Sequence, residues 1–230
     1  MTEHTVKSYG EELAHLTAEV TRMGGIAESQ VADCIAAIAR RDAPLAQAVV
    51  AGDERLDALQ GEIERKAFRL IALRQPMAVD LRHAVAALKI SMSLERCGDM
   101  AKNIGKRALI LTEADPMTAL TRSIERMGRL VQGRLKDVLD AYTTSDLQRA
   151  IGVWSRDEEV DEHYNSIFRE LLTYMMGDPR TINACAHLLF VAKNLERIGD
   201  HATNIAEIIH FELTGDELVS QRPKLDVVSQ

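Results

Sequence analysis

Eight acidic residues form four pairs, each pair four residues apart: Asp53 with Asp57, Glu95 with Asp99, Asp157 with Asp161, and Glu196 with Asp200. On a helix such pairs share one face, and like charges there are unfavourable by a few tenths of a kcal/mol. Brought together on facing helices, they would repel one another and attract a cation. Oxygen-only ligands suit hard ions such as Mg²⁺, Ca²⁺, Mn²⁺ or iron. The plainer alternative is a solvated acidic face that holds nothing.

The pairs belong to a repeat. Residues 94–104 read LERCGDMAKNI and residues 195–205 read LERIGDHATNI, identical at eight of eleven positions. One helix earlier, each half carries a D-x-x-x-D, at Asp53/Asp57 and at Asp157/Asp161. The chain is therefore a tandem duplication with its boundary near Asp115, and repetition at the same spacing favours cation binding over a merely solvated face. Setting Glu95 at zero and advancing about 100° per residue, Asp99 lies about 40° away and Asn103 about 80°. Ile90, Leu94, Ala101, Ile104, Ala108 and Leu111 lie on the other side, so the acidic stripe faces away from the core of its unit. Glu196, Asp200 and Asn204 repeat the pattern.

Neighbouring residues have structural readings. Arg96 and Arg197 follow each Glu, where an arginine either holds a carboxylate or bridges helices. Gly98 and Gly199 interrupt a helix at a position that favours close helix approach. Of seven histidines only His201 lies inside a motif, and its counterpart is Met100. The Glu-x-x-His spacing of di-iron bundles is absent, because Gly98 and Gly199 stand where His would. No P-loop, nucleophile elbow or dinucleotide fingerprint occurs. Trp154, with Tyr164 and Phe168 near the Asp157/Asp161 face, reads as core packing or as part of a partner surface.

The elements that must position these residues are helices. Pro44, Pro76, Pro116, Pro179 and Pro223 punctuate long proline-free stretches. Asp42-Ala43-Pro44, Asp115-Pro116 and Asp178-Pro179 read as helix starts, as does Thr143-Thr144-Ser145-Asp146, and Gln75-Pro76 reads as a boundary. The breaks predict six helices over 5–41, 44–74, 77–113, 117–142, 146–177 and 179–214, joined by connections short enough to force antiparallel neighbours. The tail from Gly215 to Gln230 loses periodicity.

Composition agrees with an all-α fold. The chain has 230 residues, 46% hydrophobic and only 4% aromatic, which excludes intrinsic disorder and disfavours a β-sandwich. A net charge of −7 disfavours nucleic-acid binding. Cys34, Cys97 and Cys185 form neither a disulfide framework nor a zinc motif, and read as buried thiols. No secretory h-region and no run of about 18 apolar residues is visible, so the expected compartment is the cytosol.

The doubled L-E-R-x-G-D-x-A-x-N-I, the D-x-x-x-D one helix earlier and Gln75-Pro76…Asp80-Leu81-Arg82 together resemble the PhoU family of bacterial phosphate-transport-system regulatory proteins, over roughly residues 5–214. The resemblance implies two tandem three-helix bundles, 5–114 and 115–214, followed by the tail 215–230. It implies a cytoplasmic, non-enzymatic, homodimeric adaptor that reaches the membrane through its partners. Those partners are the ATPase subunit of the phosphate ABC transporter and the phosphate sensor histidine kinase. The role it implies is negative regulation of the phosphate-starvation response and of phosphate uptake. It also implies surface metal clusters of iron, zinc, Mg or Mn, one on Asp53, Asp57, Glu95 and Asp99, the other on Asp157, Asp161, Glu196 and Asp200, with Asn103 and Asn204 as peripheral ligands. Alternatives are a carboxylate-bridged metalloenzyme or a purely structural helical module. Three departures from the pattern are Cys97, Met100 and Thr181-Ile182-Asn183, the last standing in place of Asp80-Leu81-Arg82.

Overall fold

Two of the helices begin on an aspartate that the sequence offers as a cap. Asp42 accepts a hydrogen bond from the Leu45 amide at 3.0 Å and starts α2, Ala43–Arg74. Asp146 does the same for the Arg149 amide at 3.0 Å and starts α5, Leu147–Trp154. The remaining helices are α1, Thr2–Arg40; α3, Val79–Glu113; α4, Thr118–Thr144; α6, Glu158–Gly177; and α7, Ile182–Thr214. This computed structural model describes residues 2–114 and 117–218, with side chains from residue 10 onward. The helix start expected at Asp115-Pro116 and most of the expected tail lie outside the described residues. Among the described residues there is no strand, and no helix is long and apolar enough to cross a membrane.

The structure differs from the sequence expectation in the second half. The helix expected over 146–177 is broken at 155–157, so that α5 and α6 replace one element. The backbone at Ser155 and Asp157 stays in the right-handed helical region, so the break is a short turn in which the chain keeps helical backbone angles. Arg156 Nε donates to the Gly152 carbonyl at 2.9 Å and Ser155 Oγ to the same oxygen at 3.3 Å, satisfying an acceptor that the interrupted ladder leaves open. The helix expected from 179 opens instead with a short 3₁₀ turn, Pro179–Thr181, capped by Asp178.

Packing follows the duplication. α1, α2 and α3 form one bundle, and α4 to α7 form the other. The bundles meet through α3 on α7 and α1 on α4, around one continuous core that includes Leu56, Ile90, Leu94, Met127, Leu135 and Ile198. α3 and α7 run antiparallel. Near one end Arg82 Nε donates to the Glu212 carbonyl at 3.2 Å and His83 pairs with the Glu212 carboxylate. Near the other, the Arg107 guanidinium lies 4.8 Å over the Phe190 ring and its Nη1 meets His187 Nδ1 at 3.2 Å.

The α1–α4 crossing is reciprocal. A Cβ on Gly24 would come within 2.5 Å of Leu139, and a Cβ on Gly128 within 2.8 Å of Ile35. Leu139 stands in α4 where Ile35 stands in α1, just as Gly128 stands where Gly24 does. The same register places Gln30 of α1 in correspondence with Arg134 of α4. All three cysteines are buried, as their pattern predicts, and burial pushes the Cys97 thiol up to about 12.

Candidate metal centre

The third helix of each half uses most of its circumference for packing. α3 lies against α1, α2 and α7, and α7 against α3, α4, α5 and α6. The acidic stripe occupies what remains. Its distance from the preceding acidic pair is set by the glycine between Glu and Asp. A Cβ on Gly98 would come within 2.4 Å of Leu56, and one on Gly199 within 3.3 Å of Val160. Leu56 immediately precedes Asp57, Val160 precedes Asp161, and each glycine precedes an Asp. Close approach at the glycines therefore brings Asp57 toward Asp99 and Asp161 toward Asp200.

In the second half three of the four expected carboxylates converge. One oxygen each of Asp161, Glu196 and Asp200 lies within 4.8 Å of the others. Glu196 Oε2 is buried without a hydrogen-bond partner, and Lys193 Nζ meets Oε1 at 2.6 Å. Burial, then the charges of Glu196, Asp157 and Asp161, push Asp200 up to about 6. Asp161 is raised by burial and by Glu196 and Asp157. The fourth residue, Asp157, is held by the protein itself. Thr203 Oγ1 donates to its Oδ1 at 2.7 Å. Arg134, only 2% exposed, donates to its carbonyl at 3.3 Å and lies 3.9 Å from Oδ1, with Glu159 Oε2 3.5 Å away on the other branch.

The first half is arranged differently. Asp53 is not on an exposed face: it is 2% exposed, and one carboxylate oxygen accepts from Lys102 while the other has no partner. Lys102 Nζ also lies 3.8 Å from Asp99. Asp57 is raised by burial and then by Asp53 and Asp99; Glu95 is raised by burial and by Asp99, Asp57 and Asp53 against a lowering by Arg96. These four carboxylates feel one another, yet among the described residues no group of three in this half converges as the second-half trio does. Gln30 of α1, buried and with neither amide atom paired, lies against Gly52 and Gly98.

The other expected ligands and neighbours fall into place around these sets. Asn103 is exposed. Asn204 lines a groove with Val85, Ala86 and Lys89 of α3. Arg96 reaches Glu95 at 3.5 Å and Asp99 at 3.6 Å on its own helix, so it braces carboxylates without bridging helices. His201, whose Nδ1 is buried and unpaired, lines a groove of about 520 Å³ with Glu95, Arg96, Lys89 and Gln60. Trp154 is partly buried against the core and donates from Nε1 to Glu207 at 3.1 Å.

Three residues escaped the sequence reading: Lys102, Arg134 and Gln30. Lys102 had a visible signal, since it is one of the three mismatches in the repeat, with Thr203 opposite it. Arg134 and Gln30 had little: the offset that matches Asp53 with Asp157 also matches Gln30 with Arg134, but nothing in the sequence brings Arg134 to an aspartate on another helix.

The donor set suits a hard divalent ion in the second half, with three carboxylate oxygens close together and one of them desolvated and unpaired. It suits one less well in the first, where an ammonium already sits on Asp53.

Comparison with known proteins gives a consistent result. The family model described as the PhoU domain matches twice, over residues 20–108 and 124–209. The phosphate-specific transport system accessory protein PhoU homolog of Caulobacter vibrioides (strain NA1000 / CB15N) is 96% identical over the full length of both chains. The homolog of the same name from Rhizobium meliloti (strain 1021) is 46% identical over 98% of this chain and 95% of its own. The crystal structure of PhoU from Pseudomonas aeruginosa superposes with a TM-score of 0.85 at 36% identity, covering 90% of this chain and all of that one. The phosphate transport system regulatory protein PhoU from Streptococcus pneumoniae also superposes at 0.85, at 27% identity, covering 92% of this chain and all of that one.

Proposed function

The chain belongs to the PhoU family, and on that premise we propose that it is a non-enzymatic accessory protein of phosphate transport that restrains both phosphate uptake and the phosphate-starvation response. It acts as a cytoplasmic adaptor between the transporter's ATPase subunit and the sensor histidine kinase, works as a homodimer, and reaches the membrane through those partners. The relatives' names support the transport association. The sequence supports an adaptor in that it carries no nucleophile or phosphate-cradling motif of an enzyme.

We further propose that the second acidic set holds a hard cation. The observation that carries this is the convergence of Asp161, Glu196 and Asp200. Bound there, the ion would neutralise carboxylates that otherwise repel one another, and so would stiffen the α6–α7 face presented to partners. Asp161, Glu196 and Asp200 would hold it. Arg134 and Thr203 would keep Asp157 in place beside it. Iron, zinc, Mg and Mn all fit a set of this kind, because availability and geometry decide among them.

Two experiments test these proposals. A phosphate-starvation promoter reporter in cells lacking this gene, grown in abundant phosphate, should turn on and be silenced again by the gene. A reporter that stays silent removes the regulatory assignment. Elemental analysis and Mn²⁺ titration of the purified chain should show binding that D161N/E196Q/D200N abolishes. Metal content unchanged by the triple substitution removes the cation site.

A further inference from the structure

We propose that Lys102 is the resident cation of the first acidic set, and that the choice of Lys102 in one half and Thr203 in the other decides which half takes up a metal ion. The proposal rests on the cation site assigned above to the second half.

Both halves bury or half-bury the first aspartate of the D-x-x-x-D, and a carboxylate removed from water needs a compensating charge. Each half supplies one, from opposite directions. In the second half it comes from behind. Arg134, fully buried on α4, holds Asp157 by its carbonyl and carboxylate. On the side of α7 the corresponding group is the neutral Thr203, whose hydroxyl donates to Asp157. The space among Asp161, Glu196 and Asp200 is left without a buried cation.

In the first half the arrangement is inverted. At the position corresponding to Arg134 stands the neutral Gln30, whose amide has no partner. The cation is Lys102 on α3, 30% exposed, hydrogen-bonded to Asp53 and 3.8 Å from Asp99. It sits between the second-helix and third-helix carboxylates, where an ion binding this set would have to sit. A divalent ion there must displace the ammonium from a buried carboxylate or bind beside a like charge, and both weaken it.

Lys193, the lysine beside the second trio among the described residues, does not play this part. Its pair is with Glu196, three residues on along the same helix; the lysine itself is half exposed and its ammonium also lies 5.2 Å from the Tyr164 ring centroid, so it can stay with the ring and solvent when an ion takes the carboxylate.

The test is Mn²⁺ uptake by the full chain, followed by electron paramagnetic resonance and elemental analysis. In the wild-type chain D161N/E196Q/D200N should remove all bound Mn²⁺. K102T should about double it, by opening a second set of oxygen ligands, and T203K should bring it to background. K102Q, which removes the charge but keeps a longer polar side chain than threonine, serves if K102T does not fold. If the triple variant keeps half of the wild-type Mn²⁺, or if neither K102T nor K102Q gains any, Lys102 does not exclude metal and the proposal is overturned. If no variant binds Mn²⁺, the cation site itself has failed, and Lys102 is judged by thermal unfolding. A lowered Tm in K102M that D53N/K102M restores supports Lys102 as the resident counter-ion, and an unchanged Tm in K102M overturns it.

Discussion

The second element of the first half is one unbroken helix of 32 residues, whereas the same stretch in the second half bends at 155–157 and continues as α6. The counter-charge beside it has also changed sides, from the partly exposed Lys102 on the third helix to the buried Arg134 on the first. What has not changed is the set of contacts that fixes helix spacing. Gly24 faces Leu139 as Gly128 faces Ile35, and Gly98 faces Leu56 as Gly199 faces Val160. Close packing ties both sides of such a contact together, because a volume gained on one helix must be lost on the other. A counter-charge is less constrained. Any position within reach of the carboxylate serves, and the first and third helices both offer one.

The largest effect that would break this comparison is at the buried charge. Arg134→Met removes the hydrogen bond to the Asp157 carbonyl and two ion pairs, and should destabilise the chain by about 2–4 kcal/mol. Gln30→Met at the corresponding position removes an amide that has no partner, and should range from neutral to about 1 kcal/mol stabilising. Denaturant unfolding of both variants measures the difference. Equal losses would mean that the two positions do the same work.

A smaller effect separates the two glycines. Gly98→Ala would push a methyl into Leu56, which is fully buried and has little room to move, at about 1–3 kcal/mol. Gly199→Ala meets Val160 at 3.3 Å, a tight contact that asks Val160 to give by a few tenths of an ångström, and gains helix propensity in return, so it should stay within about 1 kcal/mol of wild type. The melting temperatures of the two single variants decide it.

The smallest effect concerns the two ends of the α3–α7 seam, which respond to pH in opposite directions. The hydrogen bond to Glu212 raises His83 in the folded chain above its usual 6.5. Its stabilisation is therefore complete below about pH 6.5 and fades as pH rises through the raised value. At the other end burial, helped by Arg107, lowers His187. Its contribution is complete above about pH 6.5 and fades as pH falls toward the lowered value, because the unfolded chain then takes up the proton first. Tm measured across about pH 5–8 should lose its alkaline decline in His83→Gln and part of its acid decline in His187→Asn.

Much of the fold was legible in the sequence. Asp42, Asp146 and Asp178 cap where their side chains predict, and Gln75 ends α2 ahead of Pro76. The bend at 155–157 was not legible. It carries no proline, its backbone stays helical, and its stabilising partners, Arg156 with Asp137 and Arg134 with the Asp157 carbonyl, come from side chains that only packing assembles.

The acidic residues, their spacing and their duplication were determined by the sequence alone, because a helix places residues four apart on one face whatever surrounds it. Which of them converge, and which already have a cation, was decided by tertiary structure. Asp53 meets Lys102 across the gap between α2 and α3, and Asp157 meets Arg134 across the gap between α6 and α4. Those meetings depend on the register of one helix against another. That register is set by the fit of residues such as Gly98 and Leu56, and by nothing local to the carboxylates themselves.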